Sequence, residues 1–253
     1  MNRREASRER SQRLVDLAMG HFPQELEVRG LSGVPELLAA GLILRQCEIV
    51  ESVLDLGSRP SATSASILVR SQFDHAVTLA WLAADPSDER LMHFQRDDAK
   101  ARLAIEQKTS ELGVHMMDEA TKSDLERQMR ELPDVQVPPL ERRAVLADDH
   151  WSGLIPGLQK GTAASFGGIY TLAFRRFSAY EHASRMGLNA VVDDLPNGAK
   201  LVHAEVLDFA EHGPFGQAPL LLGLSLLIVA KRFEWPDMES VLQVFSETAP
   251  GDA

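Results

Sequence analysis

The chain has 253 residues, 44% hydrophobic and 25% charged, a composition that buries an ordinary core and excludes disorder. Its 37 acidic against 26 basic side chains leave a formal charge of −11. Non-specific contact with DNA, RNA or an anionic membrane needs an excess of Lys and Arg, so no DNA or membrane partner is expected and any RNA contact must be local.

The elements read as helices, and the expected fold class is an all-α helical bundle with one short β-hairpin near 190–203. Residues 1–253 are read as one helical domain, with 1–32 as an N-terminal helix and its connection. Met1 to Arg10 mixes Arg with Glu and has no apolar core, so no secretory signal is read there and the cytoplasm is the expected compartment. A first helix is predicted from Ser7 to Met19, where Leu14, Val15, Leu17 and Ala18 form an apolar stripe. A second runs from Val34 to Leu56, with Pro35 suited to its first turn and Gly57 to its stop. Cys47 falls in this stretch as a core residue, and one cysteine makes neither an intrachain disulfide nor a thiolate zinc cage. A third helix starts near Ser61 or Ser64 and continues to Pro86.

Asp88 to Glu131 is charged and helix-favouring with a thin apolar stripe, which predicts exposed helices forming a hairpin broken at Gly113. Residues 132–151, with Pro133, Pro138 and Pro139, are expected to be an irregular excursion. Helix is predicted again from Ala164 to Leu188, where Gly167 and Gly168 suggest a close helix–helix approach. Ala190–Val192 and Leu201–His203 flank Asp194, Pro196, Asn197 and Gly198 as hairpin strands and turn. Two last helices are predicted, Pro219 to Phe233 and Pro236 to Phe245; the apolar run 218–230 is shorter than the roughly 18 residues a bilayer span needs.

Several chemistries lack their residues. Lys160-Gly161-Thr162 reverses the Gly-Lys order of a phosphate loop, and Gly223-Leu224-Ser225 is not followed by the second glycine of a nucleophile elbow. His93 and Asp97 share a helix face beside Asp98, a spacing that is usually a solvated surface contact, so no metal and no cofactor are expected.

Chemistry concentrates in two segments. On an α-helix, Thr171, Arg175, Ser178, His182 and Arg185 fall on one face. On the third helix Arg70 and Asp74 form a second polar row among apolar residues. Both rows also read as ordinary solvated or ion-paired faces; if they meet they build a polar pocket in which Asp74 bonds an arginine or His182.

The spacings Arg70-x4-His75, Arg176-x5-His182 and Arg175-x6-His182 resemble the Arg-x4–6-His motif of HEPN ribonucleases. That resemblance implies a metal-independent RNA endonuclease of toxin or defence type, with Arg175 or Arg176 and His182 catalytic and two copies of the chain joined as a homodimer. The patterns Leu68-Val69-Arg70-Ser71-x-x-Asp74-His75-Ala76 and Tyr170-x7-Ser178-x3-His182 further resemble a bacterial family of all-helical proteins without assigned activity, over roughly 38–230. This second resemblance implies fold and site location, with Arg70, Asp74, Tyr170 and Ser178 as ligand-binding residues. The alternative to a ribonuclease is a non-catalytic helical module that binds a small ligand or a protein partner in the same polar pocket.

Overall fold

A computed structural model describes residues 3–21, 34–56, 62–175, 192–194, 200–202, 213–235 and 238–246. The fold is all-α: α1 Arg3–His21, α2 Val34–Leu56, α3 Ala62–Ala83, α4 Glu89–Ser110, α5 Glu119–Glu131, α6 Leu140–Trp151, α7 Phe166–Ile169, α8 Pro214–Phe233 and α9 Met238–Ser246. The helix of α7 widens at its C-terminal end into a π-helical turn, Tyr170–Phe174. One antiparallel hairpin joins β1 Val192–Asp194 to β2 Lys200–Val202, with Val192 opposite Val202 and Asp194 opposite Lys200. It lies inside the 190–203 stretch read as a hairpin, displaced by two residues on the first strand and one on the second.

The chain groups into two compact units: residues 1–84 with 140–253, and residues 85–139. In the first, α8 packs against α1, α2, α3 and α9, while α3 also packs against α2 and α6. The reason is composition: Leu221, Leu222, Leu224, Leu226, Leu227, Ile228 and Val229 leave α8 no polar face, so it must be enclosed on all sides. Burial of these side chains, each worth about 1.5–3 kcal/mol, is the main stabilising contribution in this unit. By length and composition α8 could cross a membrane, yet most of it is buried inside the unit. The apolar run 218–230 is thus part of a longer, 20-residue helix. It starts at Pro214, ahead of the expected start at Pro219, because Pro214 suits the first turn; Pro219 lies inside the helix.

Gly223 on α8 is where two helices approach closely: a Cβ there would come within 2.5 Å of the Phe245 ring on α9. Of Gly167 and Gly168, expected in that role, Gly167 does face a neighbouring helix, α6, while Gly168 faces the loop before α7. A Cβ on Gly167 would stand 3.1 Å from the Asp148 carboxylate, and one on Gly168 would overlap the Thr162 carbonyl oxygen. The irregular excursion expected over 132–151 is irregular only to Pro139. From Leu140 the chain is helical, because Ala144, Ala147, Asp148 and Trp151 recur at helical spacing and bury one face.

The second unit is the α4–α5 hairpin. Its turn passes Gly113 in the left-handed region, φ +76°, as the break expected there requires. Asp118 caps α5 by accepting the Thr121 N–H at 2.7 Å.

Candidate functional site

The described residues of the two rows are Arg70 and Asp74 on α3 and Thr171 and Arg175 in the wide turn that follows α7, all in the first unit. Phe73, on α3, packs its ring 6.3 Å from Tyr170 and 5.2 Å from Phe174, and the latter two rings stack at 5.2 Å and 16°. This aromatic contact joins α3 to the turn that carries Thr171 and Arg175. Arg70 sets its guanidinium 5.0 Å from the Phe174 ring centre, and Arg175 sets its own 5.5 Å from that of Tyr170. Two cations from different helices thus lie on one pair of stacked rings, an arrangement that the negative faces of the rings favour.

The π turn has a direct effect on this geometry. The Arg175 N–H donates to the Tyr170 carbonyl, five residues back, so one extra residue is fitted into the turn. A face drawn at 100° per residue from Thr171 to His182 assumes a uniform α-helix, and the wide turn moves Arg175 off the position that such a helix would give it. Thr171 is exposed and donates its hydroxyl to the Gly167 carbonyl at 2.9 Å.

Asp74 is engaged by side chains of α3 and α6. Its Oδ1 accepts from Arg143 Nη2 of α6 at 3.4 Å and from the Thr78 hydroxyl at 3.3 Å, and Arg143 Nη1 also donates to Thr78. A second α6 side chain, Glu141, pairs with Arg175 at 3.6 Å. Both partners are exposed, so the pair stabilises by at most about 1 kcal/mol. Arg143 and Glu141 are the site residues that sequence reading missed. Both stand in the stretch taken as irregular, and only the helical spacing of Ala144, Ala147 and Trp151 signals that they share a face with a core-facing element.

Further back on α6, Asp148 is 2% exposed, and its two oxygens accept the N–H groups of Phe166 at 2.9 Å and Gly167 at 2.8 Å. Burial pushes its carboxyl above the usual range against the pull of these hydrogen bonds. Ser165, the N-cap, completes the helix start by accepting the Gly168 N–H at 3.0 Å. Beside Asp74, His75 is held below the ordinary histidine range, chiefly by burial. Its Nδ1 is buried with no hydrogen-bond partner among the described residues. Cys47 is pushed up to about 12 by burial, with Glu51 and Glu48 adding to it, so it serves the core and is no nucleophile at neutral pH.

Of the residues singled out in the two rows, Arg70, Asp74, Tyr170, Thr171 and Arg175 are described, and the aromatic stack joins Arg70, Tyr170 and Arg175 directly. Arg176, Ser178 and His182 lie outside the described residues. Among the described residues no group of three or more His, Cys, Asp or Glu is arranged to hold a metal, His93 and Asp97 included.

No curated protein and no solved structure shows a significant match to the chain. Residues 36–199, which carry α2 through the first strand and both polar rows, match the family of unknown function DUF5677. That match covers well over half of the sequence, and the chain belongs to this family.

Proposed function

We propose that the chain is a HEPN-like, metal-independent RNA endonuclease acting in the cytoplasm. Arg175, Arg176 and His182 act on the phosphodiester, and Arg70, Asp74, Tyr170 and Ser178 contact the ligand. The observation that carries this reading is the convergence of Arg70 and Arg175 on the Tyr170–Phe174 stack. Guanidinium groups flanking aromatic rings make a surface suited to a polyanion that also carries planar bases. This meets the requirement that an RNA contact on a chain of charge −11 be local.

In the proposed reaction His182 takes the proton of a 2′-hydroxyl as that oxygen bonds to phosphorus. The bond from phosphorus to the 5′-oxygen breaks, and the leaving oxygen takes up a proton. Products are a 2′,3′-cyclic phosphate and a 5′-hydroxyl, with no net change in atoms or electrons. The arginines stabilise the charge that gathers on the phosphate oxygens, and the chemistry as written uses no metal. A homodimer would set two Arg/His pairs side by side, as the HEPN resemblance implies.

The second reading is a non-catalytic module that binds a small ligand or protein partner. It is favoured by the Asp74 network, in which the carboxylate is already engaged by Arg143 and Thr78. The test is incubation of a structured RNA and a total-RNA pool with the purified protein in excess EDTA. We expect cleavage that is lost in His182→Ala and in Arg175→Ala/Arg176→Ala. Absence of cleavage by the unaltered chain at high concentration would discard the nuclease and leave the binding module.

A further inference from the structure

We infer that Asp148 is a positioning residue that holds the start of α7, and through it sets where Tyr170 and Arg175 stand against α3. The consequence for Arg175 rests on the RNA reading above; the placement itself does not. Asp148 sits on α6, and each of its two oxygens takes one backbone N–H from the first turn of α7, 18 and 19 residues further on. A carboxylate at a helix N-terminus satisfies donors that have no partner within the helix. This one is also almost entirely shielded from solvent.

The surroundings are cut to its shape. Gly167 leaves room for the carboxylate, and Gly168 leaves room for the Thr162 carbonyl, so α7 is held from two sides over its first three residues. From Phe166 to Tyr170 is one helical turn, and from Tyr170 the wide turn leads to Arg175. A shift at the held end therefore carries to the aromatic stack. The same α6 meets the site twice more, through Glu141 on Arg175 and Arg143 on Asp74. One helix thus fixes the axial position of α7 with a buried charge and touches both polar rows with exposed or half-buried ones.

The chain has two tyrosines, Tyr170 and Tyr180. In a Tyr180→Phe background, 3-fluorotyrosine gives one 19F resonance, that of Tyr170, which reports the stack without any activity. Asp148→Asn keeps the volume but offers one acceptor where two N–H groups need one each. Gly167→Ala keeps the carboxylate and crowds it with a Cβ at 3.1 Å. Both substitutions are expected to move the Tyr170 resonance, Asp148→Asn by more. Binding of a labelled single-stranded oligoribonucleotide is measured alongside. Asp148→Asn should weaken it about tenfold, as loss of a charged hydrogen bond would. That loss should vanish in an Arg175→Ala background.

A folded Asp148→Asn protein with an unmoved Tyr170 resonance overturns the inference. So does an unfolded one together with an unmoved resonance in Gly167→Ala, and so does an equal loss of affinity with and without Arg175. If the unaltered chain binds no oligonucleotide while both variants move Tyr170, the RNA reading fails and the positioning role stands.

Discussion

The two units of this chain keep their folds by different means. In the first, α8 and its neighbours exclude water from a large set of aliphatic side chains, and the polar groups that enter are bonded in part: Gln72 Nε2 donates to the Ala218 carbonyl and Ser225 to Gln46 Oε1, while Gln72 Oε1 and His75 Nδ1 have no partner among the described residues. In the second, the buried apolar side chains are Leu91, Ala99 and Leu125. There the hairpin is closed by Glu106, whose buried carboxylate accepts from the Met116 N–H, Ser110 and His115, and by Arg96, which bonds the Met129 carbonyl and Asp134. Area removed from water is indifferent to pH and salt in a way that these charged closures are not. Packing faults should therefore hurt the first unit most, and proton uptake by carboxylates the second.

The largest effect is expected from Gly168→Ala. Its Cβ would overlap a backbone oxygen, which a side-chain rotation cannot relieve, so the loss should exceed the roughly 1–3 kcal/mol of ordinary overpacking. The matching fault in the second unit, Leu125→Ala, removes a 3%-exposed side chain from a thin core that can collapse around the gap; about 2 kcal/mol is expected. All three tryptophans, Trp81, Trp151 and Trp235, belong to the first unit. Denaturant curves followed by tryptophan fluorescence should show the Gly168→Ala loss, and far-UV circular dichroism should show both. Equal midpoints for the two variants by fluorescence would remove the distinction.

Acid should separate the units next. In the hairpin unit, Glu106 is held below the usual carboxylate range chiefly by the Met116 N–H, Asp118 by the Thr121 N–H, and Asp124 by Arg127. A carboxyl lowered in the folded state contributes stability that is complete above its unfolded value and is lost as pH falls through the folded value. The hairpin should thus lose helix at pH below the ordinary carboxylate range, and Glu106→Gln should remove part of that dependence. In the first unit, Asp148 has the opposite sign, since a raised carboxyl gains a proton more readily folded than unfolded. His75 titrates there instead. Lowered from 6.5 by burial, it costs stability as pH drops below 6.5 toward its folded value. Fluorescence-detected stability should decline in that window, and His75→Gln should flatten it. A decline unchanged by the substitution would assign it elsewhere.

The same contrast explains what could be read from the sequence. The ends of α2 follow from Pro35 and Gly57, and the α4–α5 hairpin from charge and Gly113, because local chemistry decides them. The Arg70 row and the Tyr170 segment were legible as two apolar stretches each carrying a polar stripe, and a contact between them only as a condition. Which groups bond across it was not. Arg143 reaches Asp74 over 69 positions and Asp148 reaches Gly167 over 19, and nothing local marks either pair. Pro133, Pro138 and Pro139 read correctly as a break, but they drew the irregular stretch past Leu140 into a helix whose core spacing was visible. The π turn escaped because a wide turn has no residue signature, and it alters the face on which Arg175 was placed.

The smallest effect on stability concerns the site itself. Glu141 and Arg175 are 58% and 63% exposed, so Glu141→Gln should change unfolding by less than about 1 kcal/mol. Its effect on ligand should be larger than its effect on the fold. Glu141 partly neutralises the guanidinium that the RNA reading assigns to phosphate, and a polyanion must displace it. Removing that charge should tighten binding of a single-stranded oligoribonucleotide at low salt. The gain should shrink as salt rises, because exposed charges are screened within about 10 Å at 0.1 M. It should be absent in Arg175→Ala. Tightening that survives the loss of Arg175 would mean that Glu141 repels the ligand through the general field of an acidic chain, and that Arg175 is not where the phosphate sits.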